Sequence, residues 1–372
     1  MEIDYKKVCS RRLYNKKIIH FIKIIIYVLF YEIIIKTDKK SKDDKTLCVY
    51  SVDTMGPIHL ENLRASVFFN KGNVIFLGQS FSIFRPVLIF KDYLLNDKKS
   101  IGSLSDFCSL KYKIDLKKIK EEINVDDYLN LITICDNTPY ENLITQWFNS
   151  KNKSTYTNQH GLYSYCGDQF NSNRTLYESL VSDYLLSWGE ATRVELSQYK
   201  DINFGFISIG NHTVDNHVIS EINAINKDQK DCFGVILNGE VQKEFNFRLI
   251  SIAKELSRLT GDKFIIRMHP NNNVKDYINI VGDNCLSVSR YNDIDYFSQV
   301  DFSLAHSTGL FALCMYIKHK IYLLDEGLSK QFKIKKINFT NVSELNIIIK
   351  EDYNFDGLSD YFNGVYKELD FI

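Results

Sequence analysis

The chain has 372 residues, with 46 Lys+Arg against 46 Asp+Glu, so its formal net charge is zero. A protein that grips long polyanions carries a basic surplus, so general nucleic-acid binding is excluded, although one local basic pocket is not. Hydrophobic residues make up 45% and charged residues 25%, ordinary for a globular core, and 4 Pro with 17 Gly exclude collagen-like and long-linker designs. The length predicts about two domains.

The first feature along the chain is the apolar run 18–35, IIHFIKIIIYVLFYEIII. Arg11, Arg12, Lys16 and Lys17 precede it, and Lys36, Lys39 and Lys40 follow. A spanning helix needs about 20 apolar residues with few charges. This run contains His20, Lys23 and Glu32, and no small-residue cleavage site follows it. The favoured expectation is a helix lying on the membrane surface, with its lysines on anionic head groups. A true anchor and a helix buried against the protein are the alternatives. Residues 1–44 are therefore read as a membrane-associating helix and linker.

The eight cysteines are scattered, and none forms a CxxC. That spacing argues against zinc-finger, iron–sulfur and thioredoxin-like sites, and no metal cluster is expected. Most of the cysteines sit in apolar stretches and read as small buried hydrophobes. The pattern fits a reducing compartment.

Beyond the polar segment 37–45, short apolar strands alternate with helix-length segments. Strands are predicted at 46–51, 73–77, 131–135, 155–158 and 184–188, with a helix over 58–69. A second series starts near 203, with strands at 204–209, 234–237, 263–267, 300–304 and 320–324. Residues 245–260 place Leu249, Ile252, Ala253, Leu256 and Leu259 at helical spacing and stop at Gly261. This alternation indicates βαβ units and parallel sheets. The expected fold is α/β: two Rossmann-like domains facing a cleft, at 45–200 and 201–345. Residues 346–372 form a tail expected to pack back on the first domain.

In open parallel sheets, ligands bind beyond the carboxyl ends of the strands. Polar residues that directly follow strands are therefore the site candidates. His160 precedes Gly161 in the run Asn158-Gln159-His160-Gly161, and an imidazole there suits a general base. Arg267 and His269 fall on one face of a strand that Pro270 ends; Arg pairs with phosphate oxygens in a fork. Ser307, Thr308 and Gly309 open an apolar helix, where hydroxyls and unsatisfied N–H groups attract anions. Asp325 and Glu326 follow a strand and read first as a solvated turn. Asn211 and Asn238 also follow strands; with Gly161, Asp325 and Glu326 they are the candidates to line the cleft. Trp188, in Ser187-Trp188-Gly189, reads as packing rather than a stacking platform.

The order of these motifs resembles the two-domain GT-B architecture of surface-polysaccharide transferases. QHG comes first, then strand ends in WG, SIGN and LNG, then RMHP and an STG helix start. The resemblance covers roughly residues 155–327 and points to the CDP-glycerol glycerophosphotransferase and capsule-biosynthesis transferase group. It implies His160 as the base that activates an acceptor hydroxyl. It implies Arg267, His269, Ser307, Thr308 and Gly309 as the groups that hold the donor's nucleotide and phosphates. It implies no resident cofactor and no metal, with a CDP- or CMP-linked donor favoured slightly over a UDP-linked one. The partners implied are a nucleotide-activated donor, a glycan or lipid-linked glycan acceptor and, through residues 18–35, a membrane surface at the cytoplasmic face of the inner membrane. The chain is also similar in part to bacterial sialyl- and polysialyltransferases, through His269-Pro270, Ser307-Thr308 and Asp325-Glu326-Gly327. In that family the acidic motif precedes the HP motif, whereas here it follows, so Asp325 is not assigned as a base. A non-catalytic nucleotide-sugar or glycan-binding scaffold is the alternative of a different class. A nucleotide-sugar epimerase fits less well, because its usual pair of acidic groups is not apparent.

Overall fold

The structure is a computed structural model. It describes residues 3–5, 8, 18–38, 45–51, 73–87, 89, 103–161, 163, 177, 179–199, 202–210, 216–224, 232–306, 308–325 and 337–351.

The first unit begins with helix α1 (Ile18–Phe30), strand β1 (Tyr31–Asp38), β2 (Thr46–Ser51) and β3 (Asn73–Phe81). It continues with α2 (Leu104–Glu122), β4 (Asn130–Thr133), α3 (Pro139–Asn149), β5 (Ser154–Asn158), β6 (Tyr184–Ser187), α4 (Glu190–Leu196) and β7 (Gly205–Ser208). Its seven strands lie in the order β1-β3-β2-β4-β5-β6-β7, all parallel except β1, which runs antiparallel along β3.

The second unit holds α5 (Asn216–Ala224), β8 (Cys232–Ile236), α6 (Lys243–Thr260), β9 (Lys263–Arg267), α7 (Lys275–Ile278) and β10 (Cys285–Ser289). Then come α8 (Asp293–Phe297), β11 (Phe302–Ala305), α9 (Leu310–Tyr316), β12 (Lys320–Leu324), β13 (Asn338–Phe339) and α10 (Val342–Lys350). Its six strands are all parallel, in the order β10-β9-β8-β11-β12-β13.

These elements follow from local chemistry. Every residue of β2 is buried, as expected for a central parallel strand covered on both faces. Helix α2 starts where the Ser103 hydroxyl accepts from the Asp106 N–H, and α3 starts at Pro139, whose missing N–H costs nothing in a first turn. Helix α6 ends as its sequence predicts: Gly261 takes a left-handed φ of 84°, which glycine adopts without a Cβ penalty.

One face of the first sheet packs Leu47, Val49 and Leu131 against Leu143, Ile144 and Phe148 of α3 and Ile119 of α2. The second core joins Val235, Ile266 and Leu304 to Leu249, Ala253 and Phe311. Gly234 lies so close to Tyr296 that a β-carbon there would overlap the phenol hydroxyl.

The structure corrects the sequence reading at three places. The single apolar helix expected over 18–35 is not formed: α1 ends at Phe30, and Tyr31–Asp38 becomes the edge strand of the first sheet. Ile24, Tyr27, Val28 and Ile33 are buried in the first unit's core, so the segment is not a detached helix. No helix among the described residues is long and apolar enough to cross a membrane. Second, Gly205–Ser208 pairs with β6 and completes the first sheet, although it was expected to open the second series. The boundary expected at 200/201 thus falls after Ser208; α5, which packs on α8, belongs to the second unit. Third, besides β1, the described strands include two more that were not expected, β10 and β13. The helix expected at 58–69, and the tail beyond residue 351, lie outside the described residues.

Candidate functional site

The strand orders locate the crevices. In the first sheet the connections reverse direction between β2 and β4; in the second, between β8 and β11. A parallel sheet opens a crevice at that reversal, beyond the carboxyl ends of the two strands.

In the first sheet a buried carboxylate fills the crevice. Glu141, in the first turn of α3, accepts from the Ser51 N–H at 2.9 Å and the Cys135 N–H at 2.6 Å. These are the residues at or just past the ends of β2 and β4. A carboxylate in a helix first turn is favoured by the helix dipole, and two peptide donors replace its lost water. Burial, and then the Glu141 charge, push the neighbouring Tyr50 hydroxyl above its ordinary range, so it stays neutral.

One strand further along, the loop after β5 carries Gln159 and His160. Gln159 is fully buried and acts as a hub. Its Oε1 accepts from the Trp188 N–H and the Thr192 hydroxyl, both at 2.8 Å. Its Nε2 donates to the Gly161 carbonyl, and its own carbonyl accepts from the indole Nε1 of Trp188. Trp188 is otherwise packed in the hydrophobic cluster of the second unit. The loop is therefore fixed at the junction of the two units.

His160 stands half-buried on this loop. Its Nδ1 lies 2.8 Å from the Tyr163 hydroxyl, and its Nε2 lies 3.7 Å from Cys135 Sγ. Burial, with Cys135, Tyr177 and Asp136 nearby, raises Tyr163 well above the usual tyrosine range, so it remains a neutral hydroxyl. The Cys135 thiol donates to Asn137 Oδ1 at 2.7 Å. Nearby Asp136 is occupied: its Oδ2 accepts from the peptide N–H of Val181 and Ser182 and from the Ser182 hydroxyl. The imidazole is thus the titratable group at this edge whose ring stands part-exposed, while both neighbouring carboxylates bind peptide N–H groups.

In the second unit the register sets Ile236 beside both Arg267 and Ala305, and Ala305 beside Leu323. The residues that follow these strands, Asn238, His269, His306 and Asp325, therefore share one edge, with Asn238 and His306 flanking the crevice. A β-carbon on Gly239 would sit 3.6 Å from the His269 ring, so the imidazole stands over the open side of the glycine. A buried amide network supports the edge. Asn246 Oδ1 accepts from the Asn238 N–H at 2.9 Å and lies 2.7 Å from His306 Nε2. The Asn238 carbonyl accepts from the side-chain amides of Asn246 and Asn272. Burial pulls His306 down to about 4, so it is neutral at physiological pH.

The other predicted residues divide. Arg267 Nη2 pairs with Asp293 at 2.6 Å and Nε donates to the Tyr291 carbonyl, so this guanidinium staples β9 to the segment ahead of α8. Thr308 Oγ1 accepts from the Leu310 N–H and so shapes the start of α9, with Gly309 exposed beside it. Asp325 is exposed, and its N–H donates to the Phe339 carbonyl. Asn211, Ser307 and Glu326 lie outside the described residues. Among the described residues no cluster of three His, Cys, Asp or Glu side chains is placed to hold a metal ion. Tyr163, Cys135 and Asn246 were not singled out in the sequence, and Gln159 only as a member of the QHG run. Their roles depend on partners 25 to 60 positions away, or, for Tyr163, on a loop fold; the one local signal was the polar run Asn158-Gln159 directly after a strand.

No family model matches the chain, and no curated protein matches it. Solved structures do. UDP-N-acetylglucosamine 2-epimerase from Rickettsia bellii aligns at 11% identity and TM-score 0.52, over 84% of this chain and 90% of its own. A glycosyltransferase from Rickettsia africae aligns at 12% identity and TM-score 0.50, over 86% and 91%. UDP-GlcNAc 2-epimerase from Methanocaldococcus jannaschii, solved with UDP-GlcNAc and UDP, aligns at 12% identity and TM-score 0.50, over 85% and 97%. The chain thus has the fold of two Rossmann-like domains that these proteins share.

Proposed function

We propose that the protein is a glycosyltransferase of the GT-B type. In this reading a nucleotide-activated donor sits at the second unit's crevice, between Asn238-Gly239 and His306-Thr308. An acceptor hydroxyl is presented to His160. The observation that carries the reading is the placement of His160: part-exposed at the strand-end edge, one strand from the first crevice, on a loop that Gln159 and Trp188 fasten to the donor-side unit. The nearby carboxylates Asp136 and Glu141 accept peptide hydrogen bonds, which leaves the imidazole to take the proton.

Transfer breaks the bond between the sugar and the donor phosphate, and negative charge develops on the departing nucleotide. Donors preorganised at that point lower the barrier. The His269 imidazole and the Thr308 hydroxyl, with its neighbour Ser307, are assigned that role. Arg267, paired with Asp293, holds the edge in place. Surface-polysaccharide synthesis is the process this chemistry fits. A CMP-sugar donor is a finer variant of the same reading; with a CDP-polyol donor the acceptor oxygen instead attacks phosphorus, the pyrophosphate bond breaks and CMP leaves.

Epimerisation is the competing reaction on this fold, since two of the aligned structures are epimerases. One experiment separates the readings. UDP-, CDP- and CMP-activated donors are incubated with an oligosaccharide acceptor, and both the released nucleotide and the sugar product are identified. Transfer yields nucleotide together with an extended acceptor. Epimerisation converts the donor without using the acceptor, and a scaffold binds the donor without turnover.

A further inference from the structure

Among the described residues of the first unit, exposed apolar side chains gather from three elements. Ile22 and Ile26 project from α1, Tyr31 from β1, and Phe81, Ile83, Phe84 and Val87 from the end of β3 and the turn beyond it. Phe81 is 60% exposed and Phe84 72%. Soluble monomers rarely present contiguous apolar groups of this kind without a partner.

The patch is built rather than loose. Phe81 stacks on Phe30 with ring centres 5.5 Å apart and meets Tyr31 edge-on at 5.8 Å. Within the turn, Arg85 points the other way and is buried, donating to Asp115 at 2.6 Å. Asp115 also binds Lys111 at 2.6 Å, and Lys111 donates to the Tyr31 carbonyl at 2.9 Å. One buried ionic cluster thus fastens both the start of β1 and the 82–87 turn, so Ile83, Phe84 and Val87 are held outward.

Charge and position select the occupant. Residues 1–45 contain twelve Lys/Arg and six Asp/Glu, a surplus of six in a chain whose total is zero. Lys23 is exposed on α1 beside Ile22 and Ile26. Aromatic and aliphatic groups bordered by lysine are the composition of a surface that sits in a lipid interface. Position adds the functional link. Leu77 of β3 is the register partner of Ser51, so Phe81 extends about 13 Å beyond the strand ends, on the same edge that carries His160. Three strand spacings, about 14 Å, separate β3 from the strand that bears His160.

We infer that this patch docks the protein on an anionic lipid surface and sets His160 to face an acceptor anchored in that surface. The docking rests on the patch alone. The acceptor class, a lipid-linked glycan, rests additionally on the transferase reading above.

The test is flotation of the full-length protein with vesicles of phosphatidylcholine and phosphatidylglycerol in equal parts, and with phosphatidylcholine alone. The expected result is binding to the anionic vesicles that is at least tenfold weaker to the neutral ones. The Ile83→Asp/Phe84→Asp double variant is expected to bind the anionic vesicles at least tenfold less, with an unchanged thermal midpoint. Val87→Asp serves as the second variant should the double variant unfold. Flotation of the variants at wild-type level overturns the inference. So does failure of the wild type to float, or concentration-dependent dimerisation through the same residues in its place. Flotation requires no turnover, so its failure leaves the transferase reading intact. A docking protein without transfer activity would instead keep the lipid site and lose only the acceptor assignment.

Discussion

The indole Nε1 of Trp188 donates to the main-chain carbonyl of Gln159 at 3.0 Å, while the indole ring lies in the second unit's hydrophobic cluster. One side chain therefore ties the His160 loop to the other unit. Trp188→Phe keeps much of the packing and removes the donor. It is expected to cost about 1–3 kcal/mol, because a buried carbonyl loses its partner. Gln159→Ala strips partners from the Trp188 N–H and the Thr192 hydroxyl together, and is expected to cost more than Trp188→Phe. Urea denaturation of both variants checks the order, and equal stabilities would show that the Gln159 hub is not structural.

Tyr163 acts through His160. Its hydroxyl, kept neutral by burial, contacts Nδ1 at 2.8 Å and fixes the ring. Tyr163→Phe is expected to lower kcat about tenfold, a loss near 1.4 kcal/mol in the transition state, with donor affinity unchanged. Because the hydroxyl does not titrate in the working range, the alkaline limb of the wild-type pH profile is not expected to come from it. A variant with wild-type kcat would place Tyr163 outside the machinery.

His306 makes stability depend on pH. Its folded pKa is lowered to about 4 by burial, below that of an unfolded histidine. Between these two values the unfolded chain takes up a proton that the folded chain refuses, so stability is complete at pH 7 and falls as the pH drops toward 4. Linkage gives a loss of about 2 kcal/mol between pH 7 and pH 5 from this group. His306→Gln, which can still donate an amide N–H to Asn246, is expected to remove that part of the slope. Denaturation midpoints at the two pH values measure it, and an unchanged slope in the variant would contradict the assignment.

The buried cluster around Asp115 holds two cations, Arg85 and Lys111, on one carboxylate. Lys111 is further satisfied by the Tyr140 hydroxyl and stands 4.7 Å over the Tyr27 ring. Asp115→Asn leaves both cations without their counter-charge and is expected to cost about 3–5 kcal/mol. Gly234→Ala tests the second core in the same way: its methyl would overlap Tyr296, an overpacking worth about 1–3 kcal/mol. Chemical denaturation reads both, and wild-type stability in either would refute the packing described.

Much of the α/β framework was legible because parallel strands are short, apolar and closed by polar turns. Leu131, Thr155, Phe264 and Ile321 all lie in strands where the sequence predicts them. Gly261 stops its helix for the reason its position implies. Errors arose where one pattern serves two structures. The apolar run of Ile18–Phe30 continues through Ile33, Ile34 and Ile35 of the following strand, and no Gly or Pro marks the change from helix to strand. Phe206 and Ile207 read as a strand, yet their sheet is decided by Leu185 and Leu186 beside them. His160 was visible as a strand-end histidine. Its neighbours Cys135 and Tyr163 were not, because a 3.7 Å contact across 25 residues leaves no trace in spacing. Arg267 was visible as a cation, but its partner Asp293 lies beyond another strand.

The central claim is that His160 takes the acceptor proton during transfer from a donor held by the second unit. The most direct measurement is single-turnover nucleotide release, with acceptor present, by wild type and His160→Ala, alongside donor binding by calorimetry. The account predicts extension of the acceptor by wild type, a rate at least 100-fold lower in the variant, and donor affinity within twofold, since general-base catalysis contributes about 10²–10⁴. A variant that transfers at the wild-type rate, or a wild type that epimerises its donor and ignores the acceptor, would contradict it.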